Sequence, residues 1–196
     1  MRHPSLLLVF TVTLAGSLPA QRHATDAGAV IVGGTGGLTR ERDVGNNRRW
    51  TRFNLHPQVG LFVLDGLAVT GDVHFETIRG SQDHVTTWGA GPGLAYYFSK
   101  LSRRITPYVF GRVLLEWNKA SFRDPQTGQW SSSTSSDDRT WQGGLGGAWF
   151  VARNVAVVGE LFYAWSRFTQ NGCTPSDCVN HGEDYGLRFG VRAFAY

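Results

Sequence analysis

Three side chains that could transfer protons or bind a metal stand two residues apart at Asp72, His74 and Glu76. This spacing places them on one face of a β-strand, where a carboxylate and an imidazole shift each other's protonation. Two interpretations stay open: a proton-transfer or metal cluster, and a polar network that pairs with arginines of neighbouring strands. We favour the network, because compensating charges recur elsewhere in the chain.

Those compensating charges recur on the same face of other alternating segments. Glu160 stands opposite Arg188 and Arg192 if consecutive segments pair, and Arg112 shares a face with Glu116 four residues later. We predict that these groups form a lumen charge network, which fills a narrow barrel. Its members are Arg52, Asp72, His74, Glu76, Arg112, Glu116, Glu160, Arg188 and Arg192.

Catalytic and cofactor motifs are missing from the sequence. No phosphate-binding loop, Cys-x-x-Cys or metalloprotease helix motif occurs, and only His84 near Ser81 and Asp83 groups a base with a nucleophile in a loop. We therefore predict that the chain is not an enzyme, has no cofactor and holds no metal. An enzyme that modifies lipid A is the less favoured alternative.

The elements that position these charges are β-strands, because the apolar period is two throughout. From Val155 onward one face is apolar, as at Leu161, whereas the other carries Glu160. We predict eight strands, several of them longer than the usual globular strand and long enough to cross a bilayer. They span residues 27–39, 50–63, 67–79, 84–98, 104–118, 139–152, 155–168 and 183–196.

Short and long connections alternate along the chain. Residues 64–66, 99–103 and 153–154 are short turns, whereas 40–49, 121–138 and 169–182 are longer polar loops, with 80–83 an exception in length. Short turns on one side and longer loops on the other are typical of outer-membrane barrels. An even strand number then places both chain termini on the periplasmic side.

The position of the charges predicts which face meets lipid. A soluble barrel buries its apolar side chains, whereas a membrane barrel exposes them to lipid. Here the charges on one face can pair inside, and the apolar faces carry aromatic residues near strand ends, as in an interfacial girdle. These aromatic residues are Trp50, Trp88, Trp117, Trp141, Trp149, Tyr163 and Trp165. We predict an all-β fold, an eight-stranded antiparallel up-and-down transmembrane β-barrel.

The N-terminus resembles a secretory signal. Arg2 precedes the apolar run 6–14, and small residues lead to Ala20, after which we expect cleavage. The predicted organisation is a signal peptide over 1–20 and one barrel domain over 21–196. Removing Arg2 lowers the formal net charge from +4 to +3, which is too weak to indicate nucleic-acid binding.

The two cysteines, Cys173 and Cys178, lie close together in a predicted loop. An exported chain meets an oxidising compartment, so we predict a local disulfide between them.

Four arginines cluster in the predicted first long loop: Arg40, Arg42, Arg48 and Arg49. Guanidinium groups suit lipopolysaccharide phosphates, but a solvated basic loop is equally consistent with the sequence.

Several stretches resemble a known family. The segment 57–71 resembles the second hairpin of the small OmpA/OmpX-like outer-membrane barrels, and 154–163 is similar to a later strand. The ending Phe194-Ala195-Tyr196 resembles the aromatic signal that the barrel-assembly machinery reads. The resemblance implies assembly by that machinery with periplasmic chaperones, and location in the bacterial outer membrane.

Together these features predict a monomeric integral outer-membrane protein, in contact with outer-membrane lipid and lipopolysaccharide. Its expected role is structural or surface interaction, such as membrane anchoring, envelope integrity or adhesion through external loops. The alternative is a narrow porin-like channel for small solutes.

Overall fold

The computed structural model of the protein describes residues 24–43, 48–80, 83–99, 104–124, 127–169 and 179–196. The predicted signal peptide and the pair Cys173 and Cys178 lie outside these ranges. Eight strands make up most of the described chain. They are β1 Val30–Asp43, β2 Arg48–Leu64, β3 Leu67–Arg79, β4 Asp83–Tyr97, β5 Ile105–Arg123, β6 Trp130–Ala152, β7 Val155–Thr169 and β8 Val179–Ala195.

The strands form one closed barrel in chain order. Each strand pairs antiparallel with its sequence neighbour, and β1 closes the barrel by pairing with β8. Val30, for example, stands opposite Leu61 on one side and Ala195 on the other. The predicted eight-stranded antiparallel up-and-down barrel is confirmed. In the described part of the chain, no helix is long and apolar enough to cross a membrane.

One end of the barrel, here called the turn end, carries the short connections and both ends of the described chain. Gly66 adopts a φ of 81° in the turn between β2 and β3, a conformation that favours glycine. A Cβ at Gly66 would lie 2.6 Å from the carbonyl oxygen of Tyr97. The backbone N–H of Ala27 donates to Asp65 Oδ1 at 2.9 Å, which folds the N-terminal segment across this end.

The opposite end, here called the loop end, differs from the prediction. The predicted loop 121–138 is mostly strand, because β5 and β6 continue to the pair Arg123 and Trp130. Strands also replace most of the predicted loop 40–49 and the last part of 169–182. The serine-rich stretch lacks apolar alternation, but backbone pairing needs only the register that the strands below already set.

The barrel is apolar outside and polar inside. Val59 is 58% exposed and Leu161 is 54% exposed, whereas Glu160 and Arg188 are each 1% exposed. Most predicted girdle residues stand on the exposed face; these are Trp88, Trp117, Trp141, Trp149 and Tyr163. Trp50 contradicts the prediction, because it shares the strand parity of the inward residue Arg52.

An apolar layer fills the lumen at the turn end. Phe62, Tyr97 and Phe194 contact one another there, with ring centroids 5.4–6.4 Å apart. The layer also contains Ala24, Ala29, Ile31, Ala68, Ala95, Tyr108, Ala148, Ala156 and Val158. The barrel therefore has a packed core at this end, as narrow barrels generally do.

Candidate functional site in the lumen

All nine residues of the predicted lumen charge network occupy lumen-facing positions, but the structure divides them into two groups. The central network lies next to the apolar layer and is almost completely buried; it contains Asp72, Arg112, Glu160, Arg188 and Arg192. The rim group lies nearer the loop end; it contains Arg52, His74, Glu76 and Glu116.

Glu160 of β7 is the centre of the central network. Its Oε1 lies 2.5 Å from Arg192 Nη2, and its Oε2 lies 3.3 Å from Arg112 Nη2 and 3.8 Å from Arg188 Nη2. Tyr108 donates its hydroxyl to the same carboxylate at 3.0 Å. Three guanidinium groups thus share one carboxylate, so Glu160 joins β5, β7 and β8 across the lumen.

Asp72 of β3 is the second carboxylate of this network. Arg112 Nη1 donates to its Oδ1 at 2.6 Å, although β4 lies between the two strands. Gly93 of β4 makes this contact possible, since a Cβ there would lie 2.9 Å from Asp72 Oδ2 and 3.1 Å from Arg112 Cβ. Three arginines and two carboxylates leave the central network with a formal excess of one positive charge.

Neutral partners complete the network, although no motif in the sequence indicates them. Gln142 Oε1 accepts from Arg112 Nε at 2.6 Å and from Arg188 Nη2 at 2.8 Å. Gln58 donates to Asp72 Oδ1 at 3.0 Å. The inward parity of these glutamines on their strands was the only signal in the sequence that could have found them.

The rim group is built around Glu116 of β5. Its Oε1 lies 2.5 Å from His74 Nδ1, and its Oε2 accepts from the hydroxyl of Thr140 at 2.6 Å. His74 stacks on His56 with ring centroids 4.3 Å apart. Gly89 lies between β3 and β5 at this level, and it leaves room for the pair of Glu116 with His74.

Glu116 and Arg112 share a face, as the sequence predicts, but they bind different partners. Arg112 points towards Asp72 and Glu160, whereas Glu116 pairs with His74. At the outer edge Arg52 lies 3.9 Å from Glu76 and 3.8 Å from Asp184. These outer pairs are partly exposed, so we expect them to contribute little to stability.

Above the central network the lumen widens into a cavity of about 410 Å³, here called the vestibule. The rim group lines its wall, and Arg188 and Gln142 lie at its floor. Asn118 donates to Asp138 on the same wall. The described part of the lumen is therefore hollow towards the loop end and filled towards the turn end.

The remaining predicted site residues lie away from the vestibule floor. The outer parts of β1 and β2 contain Arg40, Arg42, Arg48 and Arg49, and the backbone of Arg42 stands opposite that of Arg49 in the sheet. At the turn end, Phe194 is buried in the apolar layer, whereas Tyr196 is 52% exposed.

The grouping of His84 with Ser81 and Asp83 lies partly outside the described residues. His84 Nε2 lies 3.1 Å from the hydroxyl of Thr77, and the side chains of Ser81 and Asp83 lie outside the described residues. Within the described ranges, no group of three or more His, Cys, Asp or Glu residues could hold a metal ion.

Comparison with known proteins gives likeness in structure only. No family model matches the chain, and no curated protein matches it. The crystal structure of Neisserial surface protein A (NspA) is 20% identical, with a TM-score of 0.51, over 85% of this chain and 97% of that one.

Two other solved structures are similar over comparable lengths. A major outer membrane protein from Thermus thermophilus is 12% identical, with a TM-score of 0.57, over 86% of this chain and 99% of that one. Ail, the attachment invasion locus protein of Yersinia pestis, is 16% identical, with a TM-score of 0.50, over the same shares. The chain therefore has the fold of small, OmpA/OmpX-like outer-membrane β-barrels.

Proposed function

We propose that this protein is an integral protein of the bacterial outer membrane, whose barrel anchors and presents the structure at its loop end. The observation that carries the proposal is the filled lumen. The apolar layer and the central network together occupy the turn-end half of the barrel. A barrel that is blocked in this way suits a membrane-anchored scaffold better than an open channel.

The outer surface supports a location in lipid. Leu145, Leu187 and Phe189 are 60–65% exposed, and such side chains would form a large apolar surface in water. The buried charges face each other inside. This arrangement is the reverse of that in a soluble barrel.

The short connections support an orientation with the turn end in the periplasm. Outer-membrane barrels carry short turns on the periplasmic side, and here Gly66 and the pair Arg153–Asn154 mark that side. Export by the signal peptide 1–20 and assembly through Phe194 and Tyr196 by the barrel-assembly machinery are parts of the same proposal. The proposal also includes help from periplasmic chaperones during assembly and a monomeric state of the folded protein.

The long hairpin of β5 and β6 supports a surface role. β5 extends past the exposed Trp117 to Arg123, and these residues correspond to about 20 Å of strand. Its outer part carries Lys119 and Ser121 and pairs with serines of β6. We propose that this hairpin stands outside the membrane and contacts other surfaces, in adhesion or in support of the envelope.

The arginines of β1 and β2 extend this proposal to lipopolysaccharide. Arg40, Arg42, Arg48 and Arg49 occupy the outer parts of two paired strands. This position suits contact with the phosphates of lipopolysaccharide.

A narrow channel is the second candidate, because the vestibule reaches part of the way through the barrel. Conduction would require the central network and the apolar layer to move apart. The buried ion pairs oppose that movement, since separating them leaves charges without partners. We expect no catalytic activity.

Epitope insertion tests the proposed placement. A tag between residues 125 and 126 should bind antibody on intact cells, whereas the same tag between Arg153 and Asn154 should bind only after the envelope is opened. Cell-envelope fractionation should recover both proteins in the outer membrane. Recovery in the soluble periplasm, or labelling of both tags on intact cells, would contradict the proposal.

A further inference from the structure

Arg188 at the floor of the vestibule has unused hydrogen-bonding capacity. The side chain is 1% exposed, and its Nη2 donates to Gln142 Oε1 at 2.8 Å. Its guanidinium carbon lies 3.9 Å from the ring centroid of Phe162. Among the described residues, no group accepts a hydrogen bond from its Nε or Nη1. Each of these two N–H groups can donate a charge-assisted hydrogen bond to a carboxylate oxygen.

The charge balance around Arg188 favours an added anion. Among the described residues, Arg188, Arg112 and Arg192 form close ion pairs with Glu160 and Asp72 alone. A ligand carboxylate at Arg188 would neutralise this excess without disturbing the hydrogen bond to Gln142.

The wall of the vestibule has the opposite character. In the described part of the chain, its carboxylates outnumber its one arginine, Arg52, which pairs with Glu76 and Asp184. Glu116 accepts from the hydroxyl of Thr140 and pairs with His74, and Asp138 accepts from Asn118. An acidic wall above a basic floor favours a ligand that carries both charges. A simple anion would be repelled by the wall.

The strand geometry sets the length of that ligand. Gln142 contacts Arg188, Thr140 contacts Glu116, and Asp138 stands two residues further along β6. A rise of about 3.3 Å per residue separates these levels by about 7 Å and about 13 Å. An extended peptide advances about 3.3–3.6 Å per residue, and the volume of about 410 Å³ lies within the range of small-ligand sites.

We propose that the vestibule binds short zwitterionic peptides of two or three residues. The peptide carboxylate binds Arg188, and its amino group lies at the acidic wall near Glu116 and Asp138. His56 and His74, stacked on each other, form the adjoining side of the site. This inference goes beyond the proposed scaffold role and does not require it.

Calorimetric titration of the folded full chain in detergent micelles tests the proposal. Dialanine and trialanine should bind saturably. N-acetyl-dialanine and dialanine amide should each bind with an affinity lower by about tenfold or more, because each has lost one charged contact. Absence of saturable binding by both free peptides would overturn the proposal. Equal binding of the capped and free peptides would overturn it as well.

Two variants separate the site from general effects on folding. Ala164→Leu fills the vestibule, whereas Ala90→Leu adds the same group to the exposed face of β4. Only the first should abolish binding while heat-modifiable gel mobility stays normal. If both variants bind dialanine like the unchanged protein, the vestibule is not the site.

Arg188→Gln tests the floor directly. The substitution leaves two arginines with two carboxylates, so we expect the barrel to fold. The variant should bind dialanine and dialanine amide equally, because the group that distinguishes them is gone. A retained preference for the free carboxylate would contradict the role of Arg188. Channel conductance is measured independently, so failure of the scaffold proposal would not be confused with failure of this one.

Discussion

The guanidinium of Arg112 on β5 lies 2.6 Å from the carboxylate of Asp72 on β3, although β4 separates these strands in the barrel wall. The contact passes over Gly93, which has no side chain to block it. Arg112 also reaches Glu160 on β7. The lumen is thus braced by side chains that join strands which do not pair with each other.

Gly93→Ala should weaken this brace. Its Cβ would lie 2.6 Å from Thr70 Oγ1, which donates to Asp72, and would also press on Asp72 and Arg112. We therefore expect a loss of about 1–3 kcal/mol in the free energy of unfolding. Gly111→Ala is the matched control, because a Cβ there meets nothing within 4 Å. The control should be neutral, or should stabilise by up to about 1 kcal/mol through the unfolded chain. Urea unfolding in detergent micelles measures both, and equal effects would contradict the close approach.

The pair of Arg112 with Asp72 should show strong energetic coupling. A double-mutant cycle with Arg112→Gln and Asp72→Asn should give about 2 kcal/mol or more, since both side chains are at least 97% buried. The same cycle on Arg52 and Glu76 should give less than about 1 kcal/mol, because that pair is wider and partly exposed. Similar coupling in the two cycles would show that the central network has no special strength.

Glu160→Gln should be the most damaging single charge removal in the lumen. It leaves three arginines with one carboxylate, and loss of a partner in a buried pair costs about 3–5 kcal/mol. Glu183→Gln is the control, since Glu183 is exposed on β8. Unfolding midpoints of the two variants provide the comparison. A Glu160→Gln protein as stable as its control would exclude the central role of this carboxylate.

Leu161→Arg tests whether the outer surface meets lipid. Leu161 is 54% exposed in the middle of β7, where a soluble barrel would tolerate a charge. In a bilayer we expect the substitution to lower the free energy of unfolding by about 2–4 kcal/mol. Leu64→Arg, at the turn end of β2, should cost about 0–1 kcal/mol. Folding into phosphatidylcholine vesicles measures the difference, and equal tolerance would argue against a transmembrane position.

Alternation, together with the pattern of short and long connections and the position of the charges, was sufficient to predict the fold, because most strand segments keep one apolar and one polar face. Glu160 and Leu161 are adjacent in sequence and differ from 1% to 54% in exposure. The ends of β5 and β6 could not be predicted in this way. Ser131 and its neighbours lie past the exposed apolar side chains of the barrel wall, where neither strand face needs to be apolar, so they carry no alternation even though they pair with β5.

The partners inside the lumen were less predictable than the faces. Arg112 and Glu116 stand on one face. The long side chain of Arg112 nevertheless reaches Asp72 two strands away, whereas Glu116 pairs with His74. Such contacts depend on the barrel diameter and on which strand carries inward glycines. The sequence of β4 alone does not show that Gly93 and Gly89 leave room for side-chain contacts between β3 and β5.

The filled lumen is the central claim, and single-channel recording in planar bilayers tests it most directly. The refolded, heat-modifiable protein should give no discrete current steps under conditions in which a known porin, reconstituted in parallel, conducts. The central network and the apolar layer beneath it explain that result. Reproducible openings of uniform size from the folded protein would contradict the claim and would favour the narrow channel.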